Sequence, residues 1–479
     1  MRYIYTSEQA KEIDQHSIYE MGFPSLVLME KAAMSVAAVI MEKIEKERSV
    51  VCVCGMGNNG GDGVAVARLL KQAGYEVYIC MVGEPERMSE ETSCQVKMAR
   101  NCNVKFIKAE AIVIADVIVD ALFGIGLSKA VNGVFETVID LMNQSGGVVF
   151  SIDIPSGVHG STGEVMGKAV HANETITFGV HKLGLILYPG ADFAGQIHVA
   201  DIGFPLKSVV SVTNPVYMYE PEDLFRMPFR PNHSHKGTFG KVLVIAGSET
   251  MSGAAFFAAK AAYTMGAGLV KILSTENNRN LLLGQLPEAL FVGYNDLEAC
   301  LEWADVIVMG PGMGESERSQ QTVSYVLRNT KLPTVLDGDG ITLAKGELLH
   351  SNVVLTPHLL EMVRFTELSM EQVCNNLLDT ARSVAEQREC VVVLKDSRTV
   401  VSDGSERYLN VSGNNGMATG GSGDVLAGII GGLLAGGMEV FEAAKLGVYL
   451  HGLAGDEATA KKGAYAVMAS DILEGLWNI

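Results

Sequence analysis

The spacing of apolar residues along the chain predicts two α/β regions. Over the first forty residues, apolar positions recur at helical intervals, from Ile13 through Leu28 to Ile40. Beyond them, short runs rich in β-branched residues alternate with helical stretches, and these runs are VVCVC (50–54), EVYICMV (76–82), DVIVDAL (116–122) and GVVFSIDI (147–154). Near-continuous apolar strands joined by helices are typical of a parallel sheet that is covered on both faces.

The same alternation begins again at Lys241. The strand candidates there are KVLVIAG (241–247), LVKIL (269–273), ADVIVMG (304–310), PTVLDGD (333–339), SNVVLTP (351–357) and CVVVLKD (390–396). Residues 214–236, between the two regions, contain four prolines and no strand pattern. The sequence therefore predicts an N-terminal domain at 1–215, a linker at 216–235 and a C-terminal domain at 236–479, without obvious internal repetition.

Composition and charge narrow the classes of function. With 55 acidic and 37 basic residues, the chain carries a net charge of −18, which repels nucleic acid and anionic membranes. The longest apolar stretch is interrupted by glycines and is shorter than the roughly 18 residues of a membrane span. The N-terminus lacks the apolar core of a signal peptide, and the eight cysteines form no metal-type spacing. We therefore expect a cytoplasmic homo-oligomer that binds small molecules, with no nucleic-acid or membrane partner.

A glycine-rich segment, GMGNNGGDG (55–63), follows the first predicted strand and precedes a helix. Backbone amides and the helix dipole favour phosphate at such a position. The segment satisfies G-x-G-x-x-G, but Asn58, Asn59 and Asp62 stand where an ordinary dinucleotide fold keeps small side chains. A conventional hydride-transferring Rossmann domain is therefore the minor alternative.

Two acidic residues end neighbouring predicted strands: Asp120 in DVIVD and Asp153 before Ile154-Pro155-Ser156. Open α/β sheets bind ligands at the carboxyl ends of their strands. An amide oxygen, a carboxylate and a hydroxyl together suit a hard cation such as potassium. Each acid taken singly is equally consistent with a helix cap or a turn, whereas several at successive strand ends favour a site.

A second glycine-rich segment, NNGMATGGSGD (414–424), precedes the apolar helical run 425–434. Successive amides at the start of a helix bind anions, and Asp424 in the first turn can reach a reacting hydroxyl. The alternative is that Asp424 is only a first-turn acid favoured by the helix dipole, which leaves the glycines unexplained.

Taken together, these motifs resemble the bifunctional NAD(P)H-hydrate repair enzymes. GNNGGDG, DALFGIGL (120–127), DIPSGV (153–158) and TFGVHKLGL (177–185) are similar to the epimerase domain of that family. KGTFGKVLVIAGS (236–248), MSGAA (251–255), GPGMG (310–314), TPHLLE (356–361) and NNGMATGGSGD are similar to the ADP- or ATP-dependent dehydratase domain. The resemblance implies an α/β fold, with an N-terminal Rossmann-like doubly wound sheet and a C-terminal ribokinase-like domain. It also implies epimerisation of R- and S-NAD(P)H hydrate, followed by dehydration of the S epimer with release of phosphate.

The resemblance also assigns residues in the first domain. Asp153 would be the catalytic acid/base and would contact the substrate, and Asn59, Asp120 and Ser156 would hold K⁺. The remaining substrate contacts would be Asn58, Asn59, Gly60, Gly61, Asp62, Gly124, Ile125, Gly126, Leu127, Ser128, Lys129 and Ala130.

In the second domain, Asp424 would be the base that deprotonates the C6 hydroxyl for phosphoryl transfer. The substrate contacts would be Ala254, Gly312, His358 and Asp424. ADP or ATP, with Mg²⁺, would bind to Lys395, Asp396, Ser397, Arg398, Thr399, Gly420, Gly421, Ser422 and Gly423.

This chain departs from the family pattern at several positions. Leu360 and Asp396 stand where glycine is common, and Gly338 and Gly340 stand where alanine is common. A carboxylate at 396 would repel phosphate unless it points away. His358 replaces the Asn of the Asn-x-x-Glu element of small-molecule kinases, although a lone His is also an ordinary helix-start residue. Two alternative functions are a vitamin or sugar kinase with an inactive N-terminal domain, and a nucleotide-binding scaffold without turnover.

Overall fold

A computed structural model describes all 479 residues, and the chain divides into two compact units. The N-terminal unit is Tyr3–Pro215, and the C-terminal unit is Val216–Ile479 together with Met1–Arg2. The first nine strands are β1 (Arg2–Tyr5), β2 (Ser49–Cys54), β3 (Glu76–Met81), β4 (Lys105–Phe106), β5 (Val117–Ala121), β6 (Val148–Ile152), β7 (Glu174–Phe178), β8 (His181–Lys182) and β9 (Gln196–Ala200). The helices of the N-terminal unit are α1 (Ser7–Gln15), α2 (Ser25–Lys43), α3 (Asn58–Gln72), α4 (Glu90–Asn101), α5 (Val134–Gln144), α6 (Gly190–Ala194) and α7 (Leu206–Val209).

The N-terminal sheet has seven parallel strands in the order β4-β3-β2-β5-β6-β7-β9. Alternate residues of β2 enter two cores, with Val50 and Cys52 packing beside α2 and α3, and Val51 and Val53 packing beside α5. This covering of both faces explains the near-continuous apolar strands. The strand order reverses between β2 and β5, so the loops after these strands lie at the topological switch point.

The C-terminal sheet has the order β13-β12-β11-β14-β15-β16-β17-β18-β19-β10, and its switch point lies between β11 and β14. Its strands are β10 (Val216–Met218), β11 (Lys241–Ile245), β12 (Leu269–Leu273), β13 (Leu290–Val292), β14 (Val306–Met309), β15 (Thr334–Leu336), β16 (Val353–Leu355), β17 (Val391–Leu394), β18 (Val400–Ser402) and β19 (Arg407–Leu409). Its helices are α8 (Ser252–Thr264), α9 (Arg279–Gln285), α10 (Leu297–Trp303), α11 (Glu317–Asn329), α12 (Asp339–Leu343), α13 (Leu359–Thr366), α14 (Met370–Asn375), α15 (Leu377–Arg388), α16 (Ser422–Ala435), α17 (Val440–Lys462) and α18 (Ala469–Gly475).

The glycines inside α16 allow close packing against α8. A Cβ atom at Gly428 would lie 2.2 Å from the carbonyl oxygen of Ala258, and one at Gly432 would lie 2.8 Å from that of Ala262. Because these positions carry no side chain, the two backbones approach directly. This packing fixes the start of α16, where the second glycine-rich segment ends.

The predicted α/β class is confirmed. The N-terminal sheet is parallel as predicted, and the C-terminal sheet is parallel from β13 to β17, whereas β18 runs antiparallel to β17 and β19. Two other details differ. Helix α3 begins at Asn58, so two thirds of the first glycine-rich segment is helical rather than a loop. The stretch expected to lack strands contains β10, which pairs with β19 through Tyr217 and Tyr408. A buried tyrosine pair stabilises this short strand despite the nearby prolines. None of the helices combines the length and the apolar character that a membrane crossing requires.

Candidate active sites

A cavity of about 1270 Å³ opens at the switch point of the N-terminal sheet. The loops after β2, β5 and β6 contribute most of the predicted residues to its wall, namely Asn58, Asn59, Asp62, Gly124, Ile125, Gly126, Leu127, Ser128, Lys129 and Asp153. Three other predicted contacts, Gly60, Gly61 and Ala130, lie outside the wall. The structure therefore brings together segments that are about ninety residues apart in the chain.

The start of α3 presents free backbone amides to this cavity. Gly57 is the N-cap, no side chain caps the helix, and Asn58 and Asn59 line the wall. The first amides of a helix have no acceptor within it, and the helix dipole adds positive potential there. A Cβ at Gly60 would lie 1.9 Å from the carbonyl oxygen of Gly55, so this turn packs directly on the end of β2. The arrangement is suited to binding a phosphate.

Asp153 follows β6 and adopts the left-handed conformation, with φ of 67°. Its Oδ1 accepts hydrogen bonds from Lys182 Nζ at 2.7 Å, Thr177 Oγ1 at 3.2 Å and the Phe178 amide at 3.4 Å. Its Oδ2 accepts none, while the residue lines the cavity. One carboxylate oxygen is therefore anchored and the other is available to a ligand.

Two further acids share the cavity wall with Asp153. Burial raises the pKa of Asp62 well above its usual range, and the charges of Asp153 and Asp14 raise it further. Burial also raises the pKa of Asp14, as does Asp153, whereas Lys182 lowers it. The wall therefore places three carboxyl groups close enough together to interact electrostatically.

Asp120 is fully buried beneath the cavity and accepts four hydrogen bonds. Ser156 donates through its hydroxyl at 2.6 Å and its amide at 2.8 Å, Ser151 Oγ donates at 2.8 Å, and the Leu122 amide donates at 3.4 Å. Burial raises the pKa of Asp120, and these hydrogen bonds oppose the rise. The Asp120 carboxylate and the Ser156 hydroxyl are thus in direct contact, close enough for both to be ligands of one cation.

Asn59, the third residue predicted to hold K⁺, has a buried amide nitrogen without a hydrogen-bond partner. Rotation of the amide by about 180° would place its carbonyl oxygen there instead, and the two orientations are distinguished only by their partners. An oxygen at that position suits a cation, so the residue types fit potassium. The chain contains no group of three or more His, Cys, Asp or Glu side chains arranged to hold a metal ion.

The C-terminal unit gathers four acids and one lysine at the carboxyl ends of its strands. Lys395 Nζ donates to Asp337 Oδ1 at 2.7 Å, and Thr356 Oγ1 donates to the same oxygen at 2.6 Å. A Cβ at Gly423 would lie 3.1 Å from Lys395 Nζ, so the glycine-rich start of α16 lies against this ammonium group. The acids are Asp337, Asp339, Glu361 and Asp424.

Asp424 lies in the first turn of α16. Burial and the charges of Asp337, Asp339 and Glu361 together raise its pKa to about 7, against the opposing effect of Lys395. A general base is most effective when its pKa lies near the working pH. The electrostatics therefore suit Asp424 to accept a proton from a substrate hydroxyl at neutral pH.

The predicted substrate contacts of the C-terminal unit lie on adjoining segments. A Cβ at Gly312, where φ is 56°, would lie 2.9 Å from Ala254 Cβ, so the loop after β14 touches the first turn of α8. Asp339 Oδ2 accepts a hydrogen bond from the Gly314 amide at 2.7 Å and fixes the GPGMG loop. Gly340 is required here, because its Cβ would lie 2.9 Å from Gly310 Cα. Alanine at 340 would not fit this backbone.

His358 forms the N-cap of α13. Its Nδ1 accepts hydrogen bonds from the amides of Leu360 and Glu361 at 3.1 and 3.2 Å, and its Nε2 lies 3.3 Å from Glu361 Oε1. The helix-start interpretation is therefore correct for the Nδ1 side of the ring. The imidazole is half-exposed, so substrate contact through its other edge stays a prediction.

The segments predicted to bind the nucleotide meet at the start of α16. Gly421 is its N-cap with φ of 93°, and its Cβ would clash with the ring of Phe257. Lys395 leads the second segment, in which Thr399 Oγ1 donates to the Asp396 carbonyl at 3.3 Å. The Asp396 side chain is exposed, so water screens its charge from a bound phosphate.

Sequence analysis missed four residues that hold these sites in place: Asp14, Lys182, Asp337 and Thr356. Lys182 lies within the motif TFGVHKLGL, and Asp337 directly follows β15 within the strand candidate PTVLDGD. Both segments were identified from the sequence, but neither residue was given a role. Their positions at strand ends were the available signal. Asp14 lies on α1 and had none.

Comparison with known proteins finds a family match in each of the two units. Residues 25–184 match the family described as YjeF-related protein N-terminus, and residues 242–477 match the family described as NAD(P)H-hydrate dehydratase. The bifunctional NAD(P)H-hydrate repair enzyme of Thermofilum pendens is 38% identical over 95% of this chain and 92% of its own length. The enzyme of the same name from Moorella thermoacetica is 34% identical over 99% of this chain and 96% of its own length.

Among solved structures, the ADP/ATP-dependent NAD(P)H-hydrate dehydratase of Bacillus subtilis, co-crystallised with ATP and Mg²⁺, has a TM-score of 0.51. It is 33% identical, and the match covers 55% of this chain and 98% of that one. A ribokinase-like superfamily protein from Enterococcus faecalis has the same TM-score, is 34% identical, and matches over 55% of this chain and 94% of its own. The resemblance predicted from the motifs is confirmed, and the chain belongs to the family of bifunctional NAD(P)H-hydrate repair enzymes.

Proposed function

We propose that this chain restores NADH and NADPH from their hydrates in two reactions at two sites. The N-terminal unit interconverts the R and S epimers at C6 of the nicotinamide ring, and the C-terminal unit dehydrates the S epimer at the expense of ADP or ATP. The observation that carries the proposal is that each unit has its own acid centre, Asp153 in the cavity of one and Asp424 in the acid cluster of the other.

In the epimerase reaction, the C6 hydroxyl must leave and return on the other face of the ring. The lone pair of the ring nitrogen assists departure, and a carboxyl group transfers the proton to and from the oxygen. Asp153 is suited to this role because its Oδ2 has no hydrogen-bond partner and the residue lines the cavity. The free amides at the start of α3 would bind a phosphate of the substrate.

In the dehydratase reaction, Asp424 would remove the proton from the C6 hydroxyl as its oxygen attacks the terminal phosphoryl group. The amides of Gly420–Gly423 would stabilise the charge that develops on the phosphate oxygens. Phosphate is a better leaving group than hydroxide, so the ring nitrogen then expels it to leave an iminium ion. Loss of a proton from C5, the neighbouring ring carbon, restores the dihydropyridine. Lys395 balances the negative charge of the neighbouring acids.

Two metal ions complete the proposal. Asn59, Asp120 and Ser156 would hold K⁺, which would order the loops beneath the epimerase cavity. Mg²⁺ binds through one or two carboxylates together with phosphates, and the acids beside Gly423 meet this requirement. When bound, Mg²⁺ would neutralise charge on the nucleotide phosphates.

The proposed partners are therefore the hydrated cofactor and an adenine nucleotide, in a homo-oligomer, without nucleic acid or membrane. All eight cysteines are free thiols, in keeping with a cytoplasmic protein.

A single assay tests the function. Purified protein is incubated with a mixture of R and S hydrates, with and without ADP or ATP, while dihydronicotinamide absorbance is followed. Recovery of absorbance that requires nucleotide, and that consumes both epimers, is expected. A stable phosphorylated product would instead indicate a kinase, and ligand binding without turnover would indicate a scaffold.

A further inference from the structure

Lys182 is the buried cation nearest to the proposed epimerase chemistry, and neither reaction described above uses it. Its side chain is 3% exposed. Its Nζ donates to Asp153 Oδ1 at 2.7 Å and to the Phe178 carbonyl at 2.6 Å. A buried ammonium group requires such partners, because an unpaired charge in the interior is costly.

The fold holds this lysine in place from two directions. Lys182 belongs to β8, which pairs with β1 so that Lys182 is opposite Tyr5. The Phe178 carbonyl at the end of β7 accepts the second hydrogen bond. The backbone of Lys182 is thus held by strand pairing, and its ammonium group is held by a carbonyl at the end of a strand.

The consequence for Asp153 is that its two oxygens are made unequal. All three donors, Lys182, Thr177 and Phe178, bind Oδ1, and Oδ2 is left without a donor. Asp153 also lies in the left-handed backbone region, which is strained for a residue other than glycine. The surrounding contacts must therefore hold this geometry against strain.

Two other acids act on Asp153. Asp14 on α1 and Asp62 on α3 both interact electrostatically with it, and Lys182 is the cation in contact with it. Other charged groups of the cavity wall are Lys11, Glu84, Arg87 and Lys129. Removal of Lys182 would leave three neighbouring acids without their buried counter-charge.

We infer that Lys182 is a positioning residue of the epimerase: it supplies the positive charge beside the Asp153 carboxyl group, holds Oδ1 and so directs Oδ2 into the cavity. The inference rests on the proposed epimerase function.

The test is a double-mutant cycle with a pH profile, measured on the full-length protein. Lys182→Met should lower the epimerase rate at least about tenfold below neutral pH, and should move the acidic limb of the profile to higher pH. Asp153→Asn together with Lys182→Met should be no slower than Asp153→Asn alone, because Lys182 acts through that carboxylate. Lys168→Met, which removes an ion pair with Asp140 elsewhere in the same unit, should behave as wild type.

Two results would overturn the inference. The first is a Lys182→Met variant with the wild-type pH profile. The second is a double variant in which Lys182→Met lowers the epimerase rate of Asp153→Asn by the same factor as it lowers the rate of the wild type. If Lys182→Met does not fold, Lys182→Arg supplies the comparison. Because arginine retains the positive charge, the acidic limb of its pH profile should stay at the wild-type position. A moved acidic limb in Lys182→Arg would contradict the inference. A wild-type protein without epimerase activity would instead refute the proposed function itself.

Discussion

Replacement of Lys395 by Met should make dehydration require a higher pH. The Lys395 ammonium lies 2.7 Å from Asp337 Oδ1 and is the cation among the groups that act on Asp424. Burial, Asp337, Asp339 and Glu361 raise the pKa of Asp424 to about 7, against the opposing effect of Lys395. Loss of a nearby opposite charge raises a carboxyl pKa by about 1 to 3 units. The base of the variant would therefore ionise only above neutral pH.

The magnitude follows from the fraction of Asp424 that is ionised. With a pKa of about 7, about half of the wild-type base is ionised at pH 7. A rise of about one unit leaves about one eleventh ionised, which lowers the rate about fivefold, and a rise of about three units lowers it about 500-fold. The base must be deprotonated to act, so activity is lost as the pH falls through this pKa. Well above it, the two proteins should reach similar rates.

The assay is kcat/KM for the S epimer at saturating nucleotide, from about pH 6 to pH 10. Nucleotide saturation is established separately for each variant, so that weaker nucleotide binding does not enter the rate. Asp337→Asn removes a neighbouring negative charge and should move the acidic limb in the opposite direction. Lys462→Met, which removes an ion pair with Asp471, is the matched control. A Lys395→Met loss that is the same at every pH would refute the reasoning.

Four other substitutions separate the two sites. Asp424→Asn should abolish formation of NAD(P)H while epimer interconversion, followed by chromatography, continues; a folded variant that lost both would contradict the two-site proposal. Asp153→Asn should slow epimerisation by about 10²- to 10⁴-fold. A progress curve of NAD(P)H formation with nucleotide should then stop at the initial S fraction, and completion at the wild-type rate would rule out a catalytic role for Asp153. Asp120→Ala should lower the epimerase rate even in saturating potassium, because two serine hydroxyls lose their acceptor. Exchange of potassium for a bulky organic cation should lower the epimerase rate of the wild type. Unchanged rates in both experiments would leave Asp120 a structural role only. Gly312→Ala should raise KM for the hydrated cofactor more than KM for the nucleotide, because the new Cβ would lie 2.9 Å from Ala254 Cβ at a strained φ. Equal changes in the two KM values would contradict the placement of Gly312 at the cofactor site.

The sequence predicted those parts of the fold whose pattern is local. Apolar runs identified the central strands of both sheets, because these strands are buried on both faces and carry little polar interruption. The strands β1, β7 and β9 were not identified, because β1 is only half buried, β9 has no buried residue and β7 has three polar residues among its five. Strand β10 was missed for a different reason, since its pairing depends on Tyr408, which is far away in the chain.

The candidate sites divide in the same way. Asp153 and Asp424 were found because each follows a recognisable strand or glycine-rich segment. Lys182 was not assigned a role, because its partner lies 29 residues away and nothing in the local pattern indicates an ion pair. Lys395 was assigned to the nucleotide, but its contact with Asp337 spans 58 residues. Contacts of this kind depend on strand order, which a single sequence does not specify.

The tight approach of Gly60 to the end of β2 sets which parts of the epimerase cavity are open to redesign. A side chain at 60 would have to displace the Gly55 backbone, so variant libraries at this position would mostly yield unfolded protein. Gly126, which lines the cavity, has nothing within 4 Å of the Cβ position. An engineer who wished to admit an altered nicotinamide cofactor, or to exclude a natural one, would therefore diversify the loop that carries Gly126 and leave the turn at Gly60 untouched.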